Sequence, residues 1–149
     1  MLFEDLTSNA DIYEKNAKSY KAMLTAVEDE ARERLAPLKG KTIIVYHDFL
    51  EFFAEDFGLD VISVTSDGGK SSDGISPEEA IAYMNANKIE TIFCDKSFEK
   101  DDTLADIISA TGASAVVLDA MTVGSLSEAN DAYERAMKHN LDALESNLK

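Results

Sequence analysis

Three side chains that can bind a metal ion each follow a run of apolar residues in this sequence. They are His47, Asp95 and Asp119, and the runs that precede them are TIIVY, IETIFC and ASAVVL. Imidazole nitrogen and carboxylate oxygen are ligands that zinc, manganese and iron all accept. These residue types therefore favour a site for a divalent transition metal, provided that the fold brings them together.

The same residues also have simpler interpretations. A histidine that ends a strand is more often a hydrogen-bonded structural residue, and an aspartate after a strand often caps a helix or forms a turn. A zinc site needs four ligands, or three and a water. His47 and Asp119 are convincing candidates and Asp95 is a weaker one, so the residues alone describe half of a metal site.

The remaining chemistry-bearing residues give weaker signals. His139 has Asp142 three positions further on, but both fall on a charged helix face, where a solvated pair is the expected interpretation. No serine is paired with a base in the sequence, so a hydrolase triad is not predicted. Cys94 is the only cysteine, which excludes an intramolecular disulfide and predicts a small buried side chain.

Composition indicates one soluble globular domain of 149 residues, with 45% hydrophobic and 29% charged residues. Aspartate and glutamate number 29 against 14 lysines and arginines, a net charge of −15. Such a charge repels phosphate backbones and anionic lipid, so we expect no nucleic-acid partner. The N-terminus shows no export signal, and no apolar run is long enough for a membrane span.

Apolar periodicity predicts one long helix followed by four strand–helix pairs. The predicted strands are 42–46, 59–64, 89–94 and 113–118, and the predicted helices are 11–35, 49–57, 77–87, 102–110 and 125 to the end. Buried strands that alternate with helices imply a parallel sheet covered on both faces. The three candidate ligands should then emerge at one edge, outside the carboxyl ends of the strands, where ligands bind in such sheets.

Local signals support several of these boundaries. Ser76 and Glu79 form a capping-box pattern around Pro77 at the start of one helix. Gly112 is placed to end the next helix. Ser125 and Glu128 stand at the same capping-box spacing before the last helix.

Several segments resemble one known family over essentially the whole chain. The segments are YHDFLEFFAEDFGL, NAKSYKAML, RLAPLKGKTIIVYHD, IISATGASAVVLDAM and MKHNLDALESNL. They are similar to the C-terminal lobe of the metal-binding solute-binding proteins of ABC transporters, the zinc and manganese receptor family that includes adhesin-type lipoproteins. The resemblance implies a four-stranded parallel sheet in the order 2-1-3-4, with residues 1–38 as a connecting helix and 39–149 as the lobe.

The resemblance also implies a function and a site. In that family the ion lies between two lobes, and the C-terminal pair of ligands falls on His47 and Asp119. Such a protein is not an enzyme; it presents zinc or manganese to a membrane permease from the periplasm or from a lipid anchor at the cell surface. A histidine where manganese receptors often use glutamate favours zinc. Asp95 is not one of the family's usual ligands and is expected to be structural.

This chain departs from the family's pattern in ways that affect the expected affinity. Members carry an N-terminal lobe with two more ligands, whereas this sequence starts within the connecting helix, as an excised lobe or a stand-alone relative would. Leu50-Glu51 and Cys94-Asp95-Lys96 also differ from the usual motifs. Two protein ligands predict weak zinc binding by the isolated lobe, and a homodimer that joins two edges could bind more tightly.

Two other classes of function remain open at this point. A receiver-like phosphoacceptor would use Asp48 and Asp95 to hold Mg²⁺, although the sequence lacks a fifth strand with its lysine. An acidic protein-interaction module would bind a partner and no metal.

Overall fold

The computed structural model describes residues 9–65, 74–121 and 131–148, and every structural statement below concerns these residues. The strands are β1 (Thr42–Tyr46), β2 (Asp60–Val64), β3 (Thr91–Asp95) and β4 (Ser114–Leu118). The helices are α1 (Ala10–Leu35), α2 (Glu51–Phe57), α3 (Pro77–Asn87), α4 (Asp102–Thr111) and α5 (Ala132–Asn147). Short 3-10 turns cover Ala36–Leu38 and Lys96–Phe98.

The four strands form one parallel sheet in the order β2-β1-β3-β4, as the resemblance implied. The two central strands, β1 and β3, are buried along four of their five residues, whereas β4 is exposed at its start. This is the burial expected of a parallel sheet with helices on both faces. The predicted fold class is confirmed.

Alternation along the central strands divides the core into two layers. One layer joins the sheet to α1, α2 and α5, and includes Ala31, Leu35, Ile43, Val45, Ala54, Phe93, Leu141 and Leu144. The other joins it to α3 and α4, and includes Ile44, Tyr46, Ala80, Met84, Ile92, Cys94, Leu104 and Ile107. Cys94 is fully buried, as predicted.

Helix α1 is packed along only part of its length. Val27, Ala31 and Leu35 are buried, but every residue from 10 to 22 is exposed. Tyr13 and Tyr20 continue the apolar stripe into this leading half, where each is about half exposed. The apolar spacing therefore predicted the helix correctly, while the described residues cover its apolar face only near the sheet.

Predicted boundaries agree with the observed ones to within about two residues where they can be compared. Ser76 and Glu79 form the complete capping box, and Gly112 ends α4 in a left-handed conformation. The predicted start of the last helix, at Ser125 with Glu128, lies outside the described residues. The sequence did not reveal that residue 75 adds a parallel bridge to the outer side of β2. Within the described ranges, no helix combines the length and the apolar character needed to cross a bilayer.

Candidate metal-binding edge

His47 and Asp119 lie at the same edge of the sheet, on either side of the end of β3. The register pairs Tyr46 with Cys94 and Cys94 with Val117, so His47 leaves β1 level with Asp95, and Asp119 lies one residue beyond the end of β4. Neighbouring strands are about 4.8 Å apart, which separates the β1 and β4 backbones by roughly 10 Å. A shared ion would therefore sit over the end of β3.

The His47 side chain is held between two aromatic rings. Its ring stacks on Phe98, with centroids 4.0 Å apart and planes 18° apart, and meets the Tyr46 ring edge-on at 4.7 Å. Its backbone amide donates to the Val64 carbonyl at 2.9 Å, and its φ is +70°. Stacking covers a face of the imidazole, while the ring nitrogens bond in the ring plane and are not blocked by it.

The backbone at Asp119 is fixed by a residue from the last helix. The buried Asn140 accepts a hydrogen bond from the Asp119 amide at 2.8 Å and donates one to its carbonyl at 2.9 Å. The Asp119 carboxylate is exposed, and its Oδ1 accepts from the Met121 amide at 2.8 Å. Among the described residues no hydrogen bond reaches Oδ2, which leaves that oxygen accessible to a cation.

Asp95, the weaker candidate, uses both carboxylate oxygens within the protein. Its Oδ1 accepts from the amide and hydroxyl of Ser97, and its Oδ2 accepts from the Ala120 amide at 3.4 Å. Burial alone would raise the pKa of Asp95, but the bonds from Ser97 and Ala120 outweigh it and hold the pKa below its ordinary value. Asp95 is thus an ionised structural group that joins β3 to the segment beside Asp119.

Tyr46, which precedes His47, is anchored to the start of α4. Its side chain is fully buried, and its hydroxyl donates to Asp101 Oδ1 at 2.7 Å. Burial and this bond raise the pKa of Tyr46 to about 12, and the same bond lowers the pKa of Asp101. Asp101 also caps α4 through the amides of Thr103 and Leu104.

His139 lies closer to the candidate site than the sequence suggested. It lines a cavity of about 630 Å³ together with Asp95 and Asp119, and one of its ring nitrogens, Nε2, lies 3.1 Å from the Val117 carbonyl. His47 is not among the lining residues of this cavity. Asp142, which the sequence pairs with His139, instead bonds to Arg34.

The described residues do not assemble a complete metal centre. They contain no group of three or more histidine, cysteine, aspartate or glutamate side chains placed to hold an ion. At the edge, this part of the chain therefore offers a pair of candidate ligands, His47 and Asp119. The structure gives no support to the receiver-like arrangement: Asp48 lines a cavity beside β2, and Asp95 lines another cavity beside β4.

The sequence pointed to the two candidate ligands, but not to the residues that hold them and their neighbours in place. Phe98, Asn140 and Asp101 lie in unrelated parts of the sequence, and no periodic pattern or motif marks them as neighbours of the edge. They are recognisable only once the connection from β3 to α4, and the position of α5, are known.

The fold and the edge together define a class: an open parallel α/β domain with a histidine and a carboxylate at the carboxyl ends of its strands. The chain belongs to the family described as "Zinc-uptake complex component A periplasmic", whose sequence model matches residues 4–147. This membership confirms the resemblance inferred from the sequence segments.

Individual relatives show the same similarity. The chain is 28% identical to the high-affinity zinc uptake system protein ZnuA of Brucella abortus, over 99% of this chain and 44% of that protein. It is 24% identical to the manganese-binding lipoprotein MntA of Bacillus subtilis, over 97% of this chain and 50% of the relative. The chain therefore spans about half the length of these curated relatives.

Solved structures agree in fold. The metal-dependent lipoprotein YcdH from Bacillus subtilis superposes with a TM-score of 0.73 at 25% identity, over 99% of this chain and 57% of that one. The Zn(II)-bound ZnuA-like domain of Streptococcus pneumoniae AdcA gives a TM-score of 0.72 at 24% identity, over 99% of this chain and 56% of that one.

Proposed function

We propose that this chain is the C-terminal lobe of a substrate-binding protein for uptake of a divalent transition metal by an ABC transporter. His47 and Asp119 supply half of the metal site, and zinc is favoured over manganese. The observation that carries the proposal is the position of these two residues, which directly follow β1 and β4 at one edge of a lobe that belongs to the zinc-uptake family.

The local chemistry supports this assignment. Asp119 has an exposed carboxylate with one oxygen free of hydrogen bonds from the described residues, on a backbone clamped by Asn140. His47 is partly exposed, and its ring is held by aromatic contacts that leave its nitrogens unobstructed by the stacking. One neutral imidazole and one carboxylate suit zinc.

Two ligands set the expected affinity. A structural zinc site with four protein ligands gains about 10–16 kcal/mol. If half of the ligands contribute half of that free energy, the dissociation constant of this lobe for zinc is about 1–200 µM. Tight binding then needs two more ligands, from another lobe or from a second copy of this chain in a homodimer.

The proposal extends to the parts of the chain and to its setting. Residues 1–38 act as the connection between lobes, and 39–149 form the metal-binding lobe. The intact protein works in the periplasm or from a lipid anchor, and passes its ion to a membrane permease without catalysing a reaction. The family description and the relatives' names, zinc uptake and manganese-binding lipoprotein, support this setting.

Metal titration tests the proposal directly. Zn²⁺ and Mn²⁺ are added to the purified chain in competition with a chromogenic chelator, while sedimentation reports the mass. We expect weak zinc binding and weaker manganese binding. His47→Ala and Asp119→Asn should each weaken zinc binding by at least about tenfold, because each removes one of two ligands.

Matched substitutions control for nonspecific effects. His139→Ala removes the other histidine, which lines a cavity with Asp119, and so tests whether His139 rather than His47 is the second ligand. Asp106→Asn changes an exposed aspartate on α4 and is the neutral control, which should bind zinc as the unchanged chain does. A loss of zinc binding in His139→Ala but not in His47→Ala would refute His47 as a ligand. Equal zinc affinity of all four variants would refute the ligand assignment, and tight one-to-one binding by a monomer would refute the half-site.

A further inference from the structure

The connection from β3 to α4, residues 95–101, touches both segments that carry the candidate ligands. Phe98 stacks on the His47 ring at 4.0 Å. Asp101 accepts the hydrogen bond from Tyr46, the residue before His47, at 2.7 Å. At the other side, Asp95 accepts from the amide of Ala120, the residue after Asp119, at 3.4 Å. A single short segment therefore contacts the surroundings of both ligands.

Each of these contacts restricts a different degree of freedom. A stacked ring holds the plane of the imidazole, and so limits its nitrogens to directions that lie in that plane. The Tyr46–Asp101 bond restrains the end of β1, just before the backbone turns at His47. The Asp95–Ala120 bond restrains the backbone that carries the Asp119 carboxylate. Groups that orient ligands in this way raise metal affinity without touching the ion.

We propose that this connection, which we call the 95–101 connector, is the positioning element of the metal site. Phe98 sets the orientation of the His47 imidazole, and Asp95 sets the position of the Asp119 segment, so that the two ligands face one ion. Neither Phe98 nor Asp95 binds the metal. The inference rests on the proposed function, because it takes His47 and Asp119 as the ligands.

Three substitutions separate positioning from packing. Phe98→Leu keeps an apolar side chain but removes the flat ring, while Phe98→Tyr keeps the ring. In Asp95→Asn one of the two acceptor oxygens becomes an NH₂ group. The side chain can then no longer accept hydrogen bonds from Ser97 on one oxygen and from Ala120 on the other. We expect zinc affinity to fall roughly tenfold in Phe98→Leu and in Asp95→Asn, and to stay within about twofold in Phe98→Tyr.

A core substitution provides the control for simple loss of stability. Ile107 belongs to the core layer against which Phe98 packs, but it lies away from the edge that carries His47 and Asp119. The control variant is Ile107→Val. It should lower the thermal midpoint without changing the zinc affinity of the folded protein. A merely structural role for the connector predicts the same behaviour for Phe98→Leu.

A second measurement needs no metal. The ring current of Phe98 should displace the NMR signals of the His47 ring protons in the unchanged chain. Those signals should return towards free-histidine positions in Phe98→Leu and remain displaced in Phe98→Tyr.

The outcomes distinguish the two proposals. If the unchanged chain binds zinc through His47 and Asp119, but Phe98→Leu and Asp95→Asn bind it equally well, the positioning role is overturned and the proposed function stands. If the chain binds no zinc, both proposals fail. Undisplaced His47 ring signals in the unchanged chain also overturn the role of Phe98, even if Phe98→Leu does not fold.

Discussion

His47 has a backbone conformation that L-amino acids seldom adopt. Three non-glycine residues in the described ranges have positive φ: His47 at +70°, Lys88 at +56° and Met121 at +56°. Lys88 ends α3, where a left-handed residue is common. The other two are a candidate ligand and a residue two positions after the second candidate. Strain of this kind costs about 1–3 kcal/mol and clusters at functional sites.

A pair of substitutions at position 47 measures the strain. His47→Ala and His47→Gly both remove the imidazole, but only glycine also removes the Cβ atom that disfavours positive φ. We expect His47→Gly to be about 1 kcal/mol more stable than His47→Ala in urea unfolding. At Asp48, which has no positive φ, the order should reverse. An alanine variant that is more stable than the glycine variant at 47, as expected at Asp48, would show that the site is unstrained.

The buried hydroxyl of Tyr46 gives a prediction with a defined pH dependence. Tyr46→Phe removes the hydrogen bond to Asp101, and we expect a loss of about 1.5–2 kcal/mol at neutral pH because the acceptor is charged. The folded-state pKa of Asp101 is depressed below its ordinary value of 3.8. Its contribution is therefore fully present above that value and is lost as the pH falls through the lower folded-state pKa.

Denaturant unfolding at several pH values tests this dependence. The stability difference between Tyr46→Phe and the unchanged chain should shrink as the pH is lowered from neutral to about pH 2. Tyr83→Phe is the control, because the Tyr83 hydroxyl has no hydrogen-bond partner among the residues described here. Its effect should be small at every pH, whereas a pH-independent loss in Tyr46→Phe would contradict the charged acceptor.

At the scale of elements, α1 and α5 are joined by one arginine as well as by apolar packing. Arg34 on α1 donates to Asp142 and to Glu145 on α5, each at 2.6 Å, and its side chain is only 21% exposed. The bond from Arg34 holds the pKa of Glu145 below its usual value. This contact lies where the buried stripe of α1 meets the sheet, so it fixes the helix at its trailing half.

Replacing this arginine should weaken the contact between the two helices. Arg34→Met keeps an apolar side chain of similar length and should cost about 1 kcal/mol. Its two charge-assisted bonds to carboxylates on α5 are lost, together with a longer one, at 3.3 Å, to Glu30 on α1. Arg135→Met is the matched change on α5, where the one ion pair of the arginine within the described ranges is to Asp131, one turn away. It should cost less in the same urea titration, and the Arg34 effect should fall in high salt. Equal losses would mean that the contact between helices adds nothing.

At the scale of the molecule, local sequence patterns predict the helices and strands but not the contacts between them. Alternation, capping residues such as Ser76, and glycine at 112 identify where strands and helices begin and end. Strand order cannot be obtained from them, because the position of β3 beside β1 depends on long-range packing; the family resemblance supplied it. Dependence on long-range packing also explains which parts of the site could be predicted. His47 and Asp119 were recognisable as strand-end residues, whereas the partners Phe98 and Asn140 depend on how distant segments fold back.

The exposed leading half of α1 has a mechanical consequence. Residues 10–22 of this helix are exposed, and Ala10 lies about 25 Å along the axis from Val27, the first of the residues that secure it against the sheet. Because the displacement grows with distance from the fixed end, a tilt of about 10° there would move Ala10 sideways by about 4–5 Å. Small changes in the packing of α1 against α5 should therefore produce displacements of several ångströms at the N-terminal end of α1.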